Sequence, residues 1–135
     1  GMLVALEPIA ELDTVWPMYT DGIKFAKEEI GRPSVRVMAD IDYFFKGNQP
    51  LALIADEPDY CLHVHIAGDH GQPGVGDMDD VFLRLFRILR DCGYTRGVSA
   101  ACPWVSTDGG EVDFGRENAK SLAYLKALRE EVYAE

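Results

Sequence analysis

"LALIADEPDYCLHVHIAG", residues 51–68, decides the fold, because it sets two apolar runs on either side of a four-residue turn. The first run, 51–55, predicts a strand. Asp and Pro at 56–59 are turn formers, through side-chain hydrogen bonding and a fixed φ respectively. The second run, 60–67, alternates: Leu62, Val64 and Ile66 fall on one face, and Cys61, His63 and His65 on the other. A connection this short predicts an antiparallel hairpin.

Working outward, residues 77–92 form the strongest helical pattern. Phe82, Leu85, Phe86 and Leu89 make one apolar stripe, and Gly93 closes the segment. A strand is expected within 95–105, limited by Pro103, and a loop at 106–110. A last helix is expected over 117–132, with Leu122, Leu125, Leu128 and Val132 inward. Upstream, 11–30 is helical with a break at Pro17, and Tyr19, Ile23, Ala26 and Ile30 line its inner side. Asp21 is a possible cap, and Ser34 a plausible N-cap for the segment after it. The 38/41/45 spacing in residues 35–46 fits a short helix closed by Gly47, with an extended Val35–Met38 as the alternative. The order is helix, helix, hairpin, helix, strand, helix, an α/β or α+β arrangement around a mixed sheet.

The 135 residues suit one domain, 1–135, with Gly1 ahead of Met2 read as a tag remnant. No apolar run is long enough to span a membrane, and no basic-then-apolar leader is present. The net charge of −10 repels phosphates and anionic lipids, so nucleic acid and membrane are not expected partners; the field favours a cationic or amine-bearing partner, and a small-molecule or amine-bearing acceptor is expected. Cys61, Cys92 and Cys102 show no CxxC spacing, which points to buried small hydrophobes in a reducing compartment, the cytoplasm.

Two chemistries are available near the predicted hairpin. His63 and His65, two apart on a strand, point to the same side and can share one metal, with Asp69 and His70 close behind. The run is similar to the H-x-H-x-D-H signature of metallo-hydrolases and to the H-x-H run of cupins, although Asp69 and His70 come two residues late for the first and a long helix comes next, against the second. Without a metal, either histidine titrates near neutrality and serves as acid or base. Gly71, Gly74 and Gly76 stand between a strand and a helix, the setting in which free backbone N–H groups cradle an anion. Asp77, Asp79 and Asp80 already complement the helix dipole there.

In its order of features the chain resembles the GNAT acetyltransferases, over roughly residues 35–130: a hairpin, a glycine loop in the place of that family's (Gln or Arg)-x-x-Gly-x-(Gly or Ala) motif, a helix, a strand, and a helix with "NAKSLAYLKAL" from Asn118. Its "DYFFKGNQPLALIADEPDYCLHVHIAG" is similar to GNAT-like proteins of phage type. The resemblance implies a mixed, mostly antiparallel sheet flanked by helices and an acyl-CoA-dependent N-acyltransferase using acetyl-CoA or another acyl-CoA. It also implies roles: Gly71, Gly74, Val75, Gly76 and Asp77 would hold the pyrophosphate, His63 or His65 would be general base, and Tyr124 would protonate the leaving thiolate. The alternatives are a non-catalytic GNAT-like phage or accessory binding protein, and a small metal-dependent enzyme using His63 and His65.

Overall fold

The computed structural model describes residues 1–10 and 15–135. Four strands, β1 (Val4–Leu6), β2 (Val35–Asp40), β3 (Cys61–Ile66) and β4 (Val98–Ala100), form one sheet in sequence order. Every neighbouring pair is parallel. Between and after them come α1 (Tyr19–Lys24), continued by a π-helical segment Phe25–Ile30, then α2 (Ile41–Lys46), α3 (Leu53–Asp56), α4 (Asp79–Asp91) and α5 (Phe114–Ala134).

This overturns the expected hairpin and, with it, the mostly antiparallel GNAT-like sheet. Residues 51–55 are not a strand. Leu53, Ile54 and Ala55 donate to the carbonyls three residues back, at Pro50, Leu51 and Ala52, and the segment turns into α3 with Leu51 and Ile54 buried. A five-residue apolar run satisfies either a buried strand or one buried helical turn, so its composition could not choose. The strand preceding β3 lies further upstream. Val35–Asp40 is extended and pairs with β3, and only Ile41–Lys46 is helical, closed at Gly47. The connection from β2 to β3 is therefore a crossover through α2 and α3, as parallel pairing requires. Ser34 caps no helix; its carbonyl accepts from Val4 N–H at the start of β1–β2 pairing.

One face of the sheet is dry. Val37, Ala39, Cys61, Val64 and Ile66 are fully buried there with Phe82, Leu85 and Leu89 of α4 and Tyr19, Ile23 and Ala26 of the first helical segment. The α4 stripe is the one the sequence predicts. The expected helix at 11–30 begins at Tyr19, and its part at 11–14 lies outside the described residues. On α5 the buried positions are Glu117, Ser121, Leu128 and Val132, while Leu122 stays half-exposed. Cys61 was expected beside His63 and His65, but it joins the core. The register passes from Val37–Cys61 to Met38–His63 and leaves Leu62 unpaired. That bulge reverses the alternation by one residue, so Cys61 shares the face of Val64 and Ile66. Burial pushes its thiol pKa up to about 11, so it stays a neutral thiol at pH 7. None of the three cysteines is in a disulfide. Among the described residues no helix is long and apolar enough to cross a membrane.

Candidate functional site

The opposite face of the sheet carries Met38 and Asp40 of β2, His63 and His65 of β3 and Ser99 of β4, in register across the strands. At the carboxyl ends of β1, β2 and β3 it gathers three ligating side chains. Glu7 follows β1 directly, Asp40 ends β2, and His65 lies on β3 opposite Asp40. Their nearest donor atoms all fall within 4.8 Å of one another, and among the described residues this is the one such group of three or more.

The three side chains stand close without hydrogen-bonding to one another. His65 Nδ1 stands 3.6 Å from Glu7 Oε1 and 3.6 Å from Asp40 Oδ2. Those separations are too long for hydrogen bonds and suit donors each about 2 Å from a common centre. Asp40 Oδ1 accepts from the Asp42 N–H at 3.0 Å, capping α2, which leaves Oδ2 free to turn toward His65. The side chain of Asp40 is only 8% exposed, against 34% for Glu7 and 24% for His65. Burial raises the Asp40 pKa, the Asp42 N–H and His65 oppose that rise, and Glu7 adds to it. Two carboxylates and one imidazole are a donor set for a borderline or hard divalent cation.

His63 is not in this group. It lies one row further from the carboxyl ends, its ring edge-on to His65 at 5.2 Å, and its Nε2 is 2.8 Å from Ser99 Oγ. Gly97 makes room for it, since a Cβ there would stand 3.0 Å from two ring atoms. Burial, and then the neighbouring His65, lower its pKa, so the ring is neutral at pH 7. Ser99, the exposed position of β4 on this face, and Ala101 just after it add no carboxylate. A cavity of about 310 Å³ opens at the same end, between Ile41, Asp42 and Phe45 on one side and Ala67 to Asp69, Met78 and Val81 on the other.

The glycine loop after β3 is packed tight against its neighbours. Gly68 N–H bonds to Gly71 O, and a Cβ on Gly71 would meet Val105 Cγ2 at 2.9 Å. Gly74 has φ +94°, and a Cβ there would press the Tyr124 ring at 3.3 Å. Gln72, between them, is buried: it donates to Val105 O and accepts from Val105 N–H, both at 2.9 Å, and its amide lies 3.4 Å from the buried Glu117. Val75 N–H is spent on Gln72 O. Gly76 packs on Asp69 and His70 instead, and Asp77 is exposed. Tyr124 donates its hydroxyl to Asp79, and its ring meets Phe82 edge-on at 6.1 Å. His70 and Asp69 face each other at the surface, at 3.3 Å.

Glu7 and Asp40 carried no local signal in the sequence. They stand 33 residues apart, Glu7 just after β1 and Asp40 at the end of β2, and only parallel pairing brings them to His65.

No family model matches the chain, and no curated protein does. Solved structures do. The apo form of the 3-keto-D-glucoside 4-epimerase YcjR from E. coli is 28% identical, with a TM-score of 0.78 over 93% of this chain and 46% of that one. D-psicose 3-epimerase from Clostridium cellulolyticum H10, solved with D-tagatose, is 17% identical, with a TM-score of 0.75 over 93% and 48%. A xylose isomerase domain protein from Alicyclobacillus acidocaldarius is 26% identical, with a TM-score of 0.65 over 96% and 52%. The chain thus spans about half the length of the structures it matches. These likenesses overturn the expected acyl-CoA-dependent N-acyltransferase, its GNAT-like accessory alternative and its acyl-CoA cofactor: the matching structures are sugar epimerases and an isomerase domain, and the sheet of the described residues is parallel throughout, not mostly antiparallel as a GNAT fold needs. With four parallel strands in sequence order, each followed by helix, the chain has the fold of half a TIM-type β/α barrel.

Proposed function

We propose that the chain carries a divalent-metal centre that acts on a sugar, in epimerisation or aldose–ketose isomerisation. One observation carries this: Glu7, Asp40 and His65 converge at the carboxyl ends of three successive parallel strands without hydrogen-bonding to one another. That end is where barrels of this fold place their chemistry. The 28% identity to an epimerase supports the substrate class.

The roles follow from position. Glu7, Asp40 and His65 would hold the metal, which would supply Lewis-acid polarisation of a substrate oxygen. Asp40, fixed by the Asp42 N–H, holds its free oxygen in place. Glu7, the most accessible of the three, is placed to take the proton from the carbon beside a polarised carbonyl. His63, neutral and tied to Ser99, fixes the floor beneath His65. The net charge of −10 keeps nucleic acid off this surface, and the three unpaired cysteines suit the cytoplasm.

The test is calorimetric titration with Mn²⁺, Co²⁺ and Mg²⁺, followed by incubation of the loaded protein with D-fructose and D-tagatose and chromatography of the sugars. Saturable binding of one ion per chain, lost in Asp40→Asn and His65→Ala, is expected. No binding at millimolar metal overturns the proposal.

A further inference from the structure

Ser99 stands beside the ligating group without belonging to it. On the face that bears Glu7, Asp40 and His65, it is in register with His65, and His65 is in register with Asp40. Neighbouring strands lie about 4.8 Å apart, so Ser99 is one strand spacing from His65 and two from Asp40. It lies on a strand that adds nothing to the group. Strand alternation puts Gly97 and Ala101 on the same side as Ser99. This face is therefore low over β4 and tall over β2 and β3, where it carries Met38, Asp40, His63 and His65. Ser99 is the polar side chain of β4.

The Ser99 hydroxyl is held by a ring that has little room to move. His63 Nε2 is 2.8 Å from Ser99 Oγ. The ring meets His65 edge-on, and it lies against Gly97, where a Cβ would come within 3.0 Å of two ring atoms. Gly97 is itself tied down: its carbonyl accepts from Val64 N–H at 3.2 Å and from the Tyr94 hydroxyl at 2.8 Å. One hydrogen bond does not exhaust a hydroxyl. If Ser99 donates to His63, its oxygen keeps both lone pairs; if it accepts from His63, it keeps its proton and one lone pair. Either way Ser99 retains hydrogen-bonding capacity, and no second partner among the described residues uses it.

We infer that Ser99 determines specificity by binding one hydroxyl of the sugar, and that His63 is the positioning residue that holds Ser99 for that bond. This rests on the metal-and-sugar reading given above. A sugar carries a hydroxyl on most of its carbons, so an oxygen held at Glu7, Asp40 and His65 brings further hydroxyls with it. The space beside the ligands over β2 and β3 is taken by their own side chains and Met38, and the body of the sugar lies over β4, where the side chains are small. The hydroxyl it presents to Ser99 is one that takes no part at the metal. A polar group fixed in advance discriminates because the wrong configuration leaves it unpaired. The configuration of a carbon away from the reacting ones is thus read by a neutral pair, Ser99 and His63, and not by the charged ligands.

Calorimetric titration of the Mn²⁺-saturated protein with D-fructose, D-tagatose and their monodeoxy analogues tests this, with Mn²⁺ affinity measured on each variant. Ser99→Ala, at an exposed position, is expected to weaken sugar binding by about 3- to 10-fold, the worth of one hydrogen bond. Mn²⁺ affinity and the melting temperature of the apo-protein are expected to stay unchanged. One deoxy analogue, the one lacking the hydroxyl that Ser99 reads, is expected to bind the unaltered chain and Ser99→Ala equally. His63→Leu is expected to lower sugar affinity to the same degree, and to add nothing in the Ser99→Ala background. Sugar affinity unmoved by Ser99→Ala, or lowered equally for every deoxy analogue, overturns the role of Ser99 and leaves the metal centre standing. Losses from the two substitutions that simply add overturn the positioning role of His63. A protein that takes up Mn²⁺ but none of these sugars overturns the substrate reading and the role of Ser99 together, whereas one that takes up no Mn²⁺ overturns the metal centre itself.

Discussion

Two groups of polar side chains sit at the carboxyl end of this sheet, and they are built on opposite principles. Around Gln72, the side-chain polar atoms of Gln72 and Glu117 all have partners within the protein. Its amide exchanges two hydrogen bonds with Val105, and Glu117, buried beside it, accepts from Thr107 and pairs with Arg116 and Lys120. Around Asp40, three ligating groups approach one another without hydrogen-bonding among themselves. A saturated buried network ties the loop after β3 to the segment after β4 and has nothing left for a ligand. Convergent groups without mutual hydrogen bonds are costly unless something else satisfies them, and a cation would do so. On the function proposed above, the same strand ends hold both a clamp and a receptor.

The contrast fails if the two groups respond alike to substitution. The largest effect expected is on metal affinity. Asp40→Asn keeps the cap on α2, because an Asn oxygen still accepts from Asp42 N–H, but it removes a charged ligand. Mn²⁺ affinity should fall by more than about 100-fold, beyond the loss typical of a residue that merely supports a ligand, while the melting temperature of the apo-protein holds or rises, since a raised pKa marks a charge that burial disfavours. Next comes Gln72→Ala. It orphans the N–H and C=O of Val105 at a half-buried site and should cost about 1–3 kcal/mol in chemical denaturation, with Mn²⁺ affinity unchanged. If Gln72→Ala abolishes metal binding, the clamp and the receptor are one unit.

How far these groups were legible in the sequence differs for a physical reason. The α4 stripe of Phe82, Leu85, Phe86 and Leu89 was legible because a thirteen-residue amphipathic helix repeats its period several times. That His63 and His65 share a face followed from strand alternation, but the position of Cys61 did not, because the bulge at Leu62 depends on pairing with β2. Glu7 had no pattern around it, and Asp40 looks like any acidic residue before a helix. Their role comes from parallel register alone, and the short run 51–55, equally at home as a strand or a turn, pointed to the wrong pairing. Gln72 and Gly74 were visible as members of a loop opening a helix. What hid their packing was distance in sequence: Val105 and Tyr124 lie dozens of residues downstream.

The clamp also carries a pH signature that the receptor lacks in this form. Burial alone would raise the Glu117 pKa, but the Thr107 hydroxyl and Lys120 outweigh it and hold the pKa below the ordinary carboxylate value. A lowered native pKa gives stability that is present above the unfolded-state value and is lost as the pH falls through the native one. The melting temperature of the unaltered protein should therefore exceed that of Glu117→Gln at pH 7, and the gap should narrow as the pH is lowered below the ordinary carboxylate range. A gap that stays constant with pH would mean that shape, not charge, makes Glu117 part of the clamp.

The smallest effect marks where the clamp ends. Tyr124 donates to Asp79, and burial together with that carboxylate raises its pKa, so the phenol stays protonated and keeps donating at neutral pH. Asp79, unlike Val105, is exposed, and water replaces the lost donor when the hydroxyl is removed. The Tyr124 ring, which fills the space beside Gly74, is unchanged in Phe. Tyr124→Phe should then cost no more than the net worth of one hydrogen bond, about 0.5–1 kcal/mol, well under Gln72→Ala in the same denaturation experiment. A cost equal to that of Gln72→Ala would extend the clamp onto the first turn of α4, and the loop and the helix it opens would then unfold as one.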